Sequence, residues 1–226
     1  MAFLRFEIRI PTETTDPGRD DRQLGIVDSH GGASSFTGIA CVPWAGGRAG
    51  TTAGGSAYAV QGNILAGPAV VEAMIDAWEN SDPRAPFHHR LVEALLAGDL
   101  VGGDSRGRQS VAVYVVTAQG GYGGTSDVQV DLRVDDHPNP IPELSRLIAI
   151  RDMLFGHVDL DACLPLTGEL AEEVQRRLAS VGQVGDDVEK SLIIWADIEN
   201  LEERMVPGQI DPIVLAHLRS LTDGTT

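Results

Sequence analysis

A glycine-rich loop carries the residue types best suited to ligand chemistry. Gly102 to Arg108 (GGDSRGR) places Asp104 and Arg106 between glycines, directly before the apolar segment 109–117. A guanidinium binds a carboxylate through two parallel hydrogen bonds, so Arg106 or Arg108 could hold an anionic ligand group. The alternative is an ion-paired loop whose charges only neutralise one another. The residues alone leave both readings open.

The spacing of the other reactive residues argues against a catalytic triad, a phosphate-binding loop and a zinc site. Ser110, His137 and Asp135 could form a Ser/His/Asp arrangement, but no Gly-x-Ser-x-Gly segment is present. We interpret residues 135–138 as a solvated turn instead. Lys190 lacks the glycine spacing of a phosphate-binding loop. The histidines and cysteines do not cluster as zinc ligands do, so we expect no metal and no cofactor.

Elements on both sides must position the glycine-rich loop. The segment 87–97 predicts a helix before it, with Gly98 as the C-terminal stop. The segment 109–117 (QSVAVYVVT) is nearly all apolar and β-branched, which predicts a strand buried on both faces. The alternating segment 127–134 predicts its partner strand, and a helix follows at 143–155.

The earlier part of the chain predicts mostly strands. Segments 22–28 and 33–39 are joined by SHGG and predict a β-hairpin, and 3–10 is a further candidate strand. Segment 56–61 predicts another strand, after which Pro68 opens an amphipathic helix. Runs of strands and helices without strict alternation indicate an α+β fold.

Three short amphipathic helices are predicted after residue 155. The last begins at Asp211-Pro212, an N-cap followed by proline at the first helical position. This tail is acidic, with fourteen Asp or Glu residues and five Lys or Arg residues in 155–226. It therefore reads as a separate small helical module.

Composition limits the partners and the compartment. The 226 residues carry a net charge of −16, which disfavours nucleic acid and anionic membranes. Hydrophobic residues make up 42%, enough for a core, but no apolar run approaches the length of a membrane span. Two cysteines and no secretory signal suit a reducing compartment, so we expect a cytoplasmic protein.

Seven phrases, in order from about residue 16 to residue 150, resemble a bacterial family, domain of unknown function 1028. The phrases are QLGIVD (23–28), SFTG (35–38), PWAG (43–46), YAVQGNILAG (58–67), AGDLVGGDSRGRQS (97–110), GGYGG (120–124) and VDLRVDDHPNPIPEL (130–144). That family resembles N-terminal-nucleophile (Ntn) hydrolases. The resemblance implies a four-layer αββα sandwich and hydrolysis of small amides by a terminal Thr, Ser or Cys, whose free amine acts as the base.

The beginning of the chain departs from the family pattern. Ala2, which follows Met1, has no nucleophilic atom, and the resemblance starts only near residue 16. Family members carry two strands and a helix before that point. We therefore expect an N-terminally truncated member with an incomplete sandwich and no catalytic nucleophile.

The tail resembles the peptidoglycan-binding segment that family members often carry. Its phrases are EVQRRLASVGQ (173–183), IENLEER (198–204) and IDPIVLAHLR (210–219). The Phe-Gly-x-x-Thr turn of the usual helical repeat is absent. The alternative is a helical cap or a dimerisation module. We thus divide the chain into a non-matching segment 1–15, an Ntn-hydrolase-like domain 16–155 and an acidic helical domain 156–226.

Two functions follow from the residues and the resemblance. The first is an amidohydrolase-like protein that takes a small amide in a pocket edged by Asn63, Asp104, Arg106, Arg108 and Ser110. There Asn63 would donate to a developing oxyanion, and an arginine would hold a substrate carboxylate. No catalytic residue is assigned. The second is a non-catalytic binding or assembly protein that uses the helical module, with a homo-oligomer as the expected assembly.

Overall fold

The computed structural model describes residues 16–223, so the candidate strand at 3–10 lies outside the described residues. Six α-helices and four two-stranded antiparallel sheets occur in the described part. This confirms the α+β class. The chain divides between Ser145 and Arg146 into two compact units, which we call the α/β unit and the helical unit.

The α/β unit begins with two β-hairpins. The first pairs β1 (Gln23–Val27) with β2 (Ala33–Thr37), as the sequence predicted. The second pairs β3 (Gly46–Thr51) with β4 (Ala57–Gly62). The glycine-rich β3 was not predicted as a strand, because glycine carries little strand propensity of its own.

The two hairpins lie face to face because small residues allow a close approach. A Cβ added to Gly25 would lie 2.2 Å from Oε1 of Gln61, and one added to Gly47 would lie 2.5 Å from Oγ of Ser35. The side chain of Gln23 also spans the layer, since its Nε2 donates to the Gly62 carbonyl at 2.8 Å. Glycine at these positions thus leaves room for the Gln61 and Ser35 side chains between the sheets.

Helix α1 (Ala69–Asn80) covers the second hairpin, and α2 (Phe87–Leu100) packs against α1. They form a core cluster with β4, in which Ile75 is completely buried beside Tyr58 and Trp78. Gly98, expected to end α2, lies inside it. A Cβ there would stand 2.7 Å from Cγ of Met74, so this glycine serves helix–helix contact instead.

The third hairpin pairs β5 (Val111–Val116) with β6 (Val128–Val134). Its burial alternates along β5, so the prediction of a strand buried on both faces is wrong. Tyr114 and Val116 are 58% and 59% exposed, whereas Val113 and Val115 are buried. The reason is that the apolar run forms part of a two-stranded sheet, and α2 packs against β5 from one side.

Helix α3 (Pro140–Phe155) begins three residues before the predicted start at 143. Pro140 and Pro142 occupy its first turn, where the missing N–H groups would have no intrahelical partner in any case. The prolines therefore start the helix.

The helical unit contains the three predicted helices, α4 (Gly168–Ser180), α5 (Val188–Glu199) and α6 (Pro212–Asp223). A short pair, β7 (Leu164–Pro165) and β8 (Gln209–Ile210), was not foreseen. Asp211 caps α6 as predicted, since its Oδ1 accepts from the Ile213 N–H at 2.7 Å. The helices enclose a core of their own, formed by Leu166, Val174, Leu178, Leu192, Trp195, Ala196, Leu201, Ile210, Val214, Leu215 and Leu218.

An ionic cluster joins α4 to α6. Glu173 accepts from Arg219 through both oxygens, each at 2.8 Å, and also from Nε of Arg177 at 2.8 Å. These hydrogen bonds, first from Arg219 and then from Arg177, lower the pKa of Glu173 to about 2. The carboxylate therefore stays charged far into the acid range.

This lowered pKa makes part of the stability of the helical unit depend on pH. Stability from Glu173 is fully present above its unfolded pKa of 4.5 and is lost as pH falls toward about 2. We expect Glu173→Gln to lower the free energy of unfolding by about 1–2 kcal/mol at pH 7, allowing for solvent screening. Urea titrations at several pH values should show this difference shrinking below pH 4.5.

The neighbouring acid provides a matched control. Glu172 is exposed on the same helix, so Glu172→Gln should change stability little at any pH. A Glu173→Gln deficit that persisted undiminished at pH 2.5 would contradict the assignment.

Candidate functional site

A cavity of about 650 Å³ lies in the α/β unit beside the loop 102–108. Its walls come from α1, α2, the loop, the start of β5 and the start of α3. Four of the five expected site residues line it, namely Asp104, Arg106, Arg108 and Ser110. The other lining residues are Leu65, Val70, Met74, Leu95, Gly98, Asp99, Gly103, Gly107, Gln109, Val111, Asp136, Pro140 and Ile141.

Asn63 is not among the residues that line the cavity. It follows β4 directly, as predicted, but its Nδ2 donates to Oε1 of Gln23 at 3.0 Å. Its amide is therefore engaged with β1 on the hairpin side. The structure therefore places the other four expected site residues at the cavity and Asn63 outside its lining.

Backbone contacts hold the loop in place against the segment that follows β4. The N–H and Oγ of Ser105 both donate to the Ile64 carbonyl at 2.8 Å. Ala66 N–H donates to the Gly103 carbonyl at 2.9 Å. Gly102 makes this approach possible, because its φ is +125° and a Cβ would lie 2.6 Å from Cβ of Ala66.

Adding a methyl group at Gly102 should therefore loosen the loop. We expect Gly102→Ala to destabilise the α/β unit by about 1–3 kcal/mol, from backbone strain and the clash with Ala66. Amide hydrogen exchange across 102–108 should rise. Gly107→Ala separates the two causes, since Gly107 has φ +108° but open space around its Cβ. Equal effects of both substitutions would show that the contact with Ala66 contributes nothing.

Asp104 and Arg106 form a closed pair inside the loop. Nε and Nη2 of Arg106 donate to the two carboxylate oxygens at 3.0 and 2.7 Å, and the Arg106 N–H donates at 2.8 Å. These hydrogen bonds lower the pKa of Asp104, and the carboxylate raises the pKa of Arg106. Asp104 and Arg106 therefore neutralise one another, which is the alternative to ligand binding that the sequence left open.

Arg108 forms a different contact, in which only Nε of its guanidinium group is engaged. Its Nε donates to Oδ1 of Asp99 at 2.6 Å, and this bond raises the pKa of Arg108. The Asp99 side chain is 17% exposed, so α2 fixes the anchor. Within residues 16–223, no hydrogen bond engages Nη1 or Nη2 of Arg108. Those two groups remain able to donate to a ligand.

Asp136 also lines the cavity, although the sequence predicted that it belongs to a solvated turn. The ladder between β5 and β6 brings it to the cavity, because the His137 N–H donates to the Gln109 carbonyl at 2.9 Å. Among the described residues, no hydrogen bond or ion pair engages its carboxylate. Asp99 was likewise missed, since it lies nine positions before Arg108 and nothing in the spacing links the two.

The proposed Ser/His/Asp arrangement is not assembled. Nδ1 of His137 accepts from the Asn139 N–H at 3.0 Å. Asp135 is 79% exposed and pairs with Arg133 at 3.3 Å. The interpretation of 135–138 as a turn holds for these residues, with Asp136 as the exception that faces the cavity.

No helix in the part of the chain that the structure describes combines the length and the apolar character that a bilayer span demands.

Comparison with known proteins supplies the family. Residues 161–218 match the model named "Putative peptidoglycan binding domain". The chain resembles the crystal structure of a Silicibacter pomeroyi protein described as DUF1028, at 28% identity and a TM-score of 0.50. That match covers 71% of this chain and 59% of the other, and no curated protein matches. Residues 9–144, more than half of the chain, match the model "Family of unknown function (DUF1028)", and the chain belongs to that family.

Proposed function

We propose that the helical unit binds peptidoglycan. The match of residues 161–218 to a peptidoglycan-binding domain carries this proposal. The unit has a complete apolar core of its own, so it offers a rigid surface to a polymer. A wall partner would place the protein outside the cytoplasm that cysteine usage suggested, and cell fractionation can decide between them.

The solvent side of α5 supplies a candidate contact surface. Ile194 and Ile198 lie one helical turn apart and are 53% and 62% exposed. Sugar rings and peptide side chains both present apolar C–H groups, which exposed aliphatic side chains can cover. The polymer would thus pack against the outer face of α5.

Co-sedimentation with insoluble peptidoglycan tests the proposal. The full chain should pellet with purified sacculi, and Ile194→Ser with Ile198→Ser should weaken retention roughly tenfold for ~1.4 kcal/mol of lost contact. Val184→Ser is the matched control, because Val184 is 84% exposed in the same unit but lies outside α5. A full chain that stays in the supernatant would refute peptidoglycan binding. Equal loss with the control would refute only the α5 surface.

Hydrolysis of a small amide in the α/β unit is the second candidate. It rests on the resemblance of this family, whose function is unknown, to Ntn hydrolases. The packing of α1 on the β3–β4 hairpin and of that hairpin on β1–β2 is compatible with part of an αββα sandwich. In this proposal an arginine of the loop holds a substrate carboxylate, and Asp104 and Ser110 line the same cavity. Asn63 would reach an oxyanion only after releasing Gln23.

Turnover by the purified 226-residue chain is the direct test of that candidate. Release of the free amino acid from a panel of N-acyl amino acids, which keep a free carboxylate, should be followed with the wild-type protein and with Arg108→Gln. Activity that falls in Arg108→Gln would support the cavity as the site. A wild-type chain that releases no amino acid from any of these N-acyl substrates would refute the candidate.

A further inference from the structure

The charges and walls of the cavity point to a specific ligand chemistry. We propose that it binds a zwitterion of the amino-acid or short-peptide class. The ligand carboxylate contacts Arg108, its ammonium group contacts Asp136, and an aliphatic side chain packs on the apolar wall. The inference concerns the same cavity as the amide-hydrolysis candidate, but it requires binding alone and no turnover.

Arg108 provides the carboxylate contact because its anchoring leaves the right atoms available. The 2.6 Å hydrogen bond from Nε to Oδ1 of Asp99 anchors the guanidinium group and occupies only Nε. Nη1 and Nη2 can then donate end-on to two oxygens of one carboxylate. Arg106 is less suitable, since Nε and Nη2 are already occupied by Asp104.

Asp136 provides the ammonium contact. The charged side chains of the cavity lining are Asp99, Asp104, Asp136, Arg106 and Arg108. Two of the acids are paired with the two arginines, so one negative charge remains. A ligand that is only anionic would meet this uncompensated carboxylate, whereas a zwitterion satisfies both ends.

The other residues that line the cavity determine which kind of ligand can carry the carboxylate and the ammonium group. Leu65, Val70, Met74 and Leu95 form an apolar wall, and Ile141 of α3 continues it. The volume of about 650 Å³ lies in the usual range of roughly 300–1,000 Å³ for small-molecule sites. An aliphatic dipeptide therefore suits the cavity in size, in polarity and in charge.

Calorimetric titration of the full chain with three matched ligands tests the proposal. The ligands are alanyl-leucine, its N-acetyl derivative and its C-terminal amide. Each modification removes one ligand charge, so each should weaken binding to the wild type by roughly tenfold or more. N-acetylation should cost less than about threefold in Asp136→Asn, and amidation should cost less than about threefold in Arg108→Gln.

Two variants outside the cavity serve as controls. Asp135→Asn and Arg84→Gln remove exposed charges that pair with other residues, and both should bind all three ligands as the wild type does. The crossed pattern also separates a direct contact from misfolding, because a misfolded variant loses every ligand alike. No binding of alanyl-leucine to the wild type would overturn the proposal. Equal affinity for the N-acetyl form would also overturn it and indicate a site for carboxylates alone.

Discussion

Replacing Arg204 by methionine is expected to destabilise the helical unit by about 3–5 kcal/mol. Arg204 is 2% exposed, and its Nη1 donates to Oδ2 of the equally buried Asp211 at 2.5 Å. Its Nε donates to the Met153 carbonyl at 2.5 Å, and its Nη2 donates to the Asp152 carbonyl. Methionine fills much of the volume but satisfies none of these acceptors, so a buried carboxylate loses its partner. Amide hydrogen exchange of α5 and α6 measures the loss.

A second variant and a control make this prediction specific. In Arg204→Met with Asp211→Asn, no buried charge is stranded, so the double variant should lose less than the sum of its parts. Arg176→Met removes an exposed arginine from α4 and should change stability by less than about 0.5 kcal/mol. Exchange in Arg204→Met that matched the control would mean that the buried pair contributes no net stability.

Local patterns predicted most of the elements, because their causes lie within a few residues of one another. The hairpin at 22–39 follows from two apolar segments around SHGG, and α6 follows from Asp211-Pro212. The errors arose where tertiary packing decides. Gly98 reads as a helix stop, yet it lies in α2 because Met74 packs where a side chain would be.

The candidate site was only partly predictable for the same reason. Asp104, Arg106 and Arg108 share one loop, so their proximity is a property of the sequence. Asp99 and Asp136 reach the same cavity through the end of α2 and through the β5–β6 ladder, which are long-range features. The sequence left open whether the arginines of the loop bind a ligand or only form ion pairs, and the structure gives a different result for each arginine. Arg106 is ion-paired at two nitrogens, and Arg108 keeps two nitrogens available.

The core under the cavity wall should be as sensitive as the buried arginine. Ile75 is 0% exposed and packs with Tyr58, Val71, Trp78 and Ala94. We expect Ile75→Ala to lower the free energy of unfolding of the α/β unit by about 2–5 kcal/mol, from lost burial and from the cavity that remains. Amide hydrogen exchange of α1 and α2 reports the change without interference from the helical unit.

The size of the effect at Ile75 should follow the volume removed. Ile75→Val deletes one methyl group and should cost about 0.5–1.5 kcal/mol. Ile39→Ala makes the same chemical change as Ile75→Ala on a side chain that is 89% exposed, so it should stay within about 0.5 kcal/mol of the wild type. If alanine at the two positions cost the same, burial would not be the cause, and α1 would not be fixed by the contact with β4. Because Val70 and Met74 of α1 form part of the cavity wall, a loosened α1 should also weaken dipeptide binding.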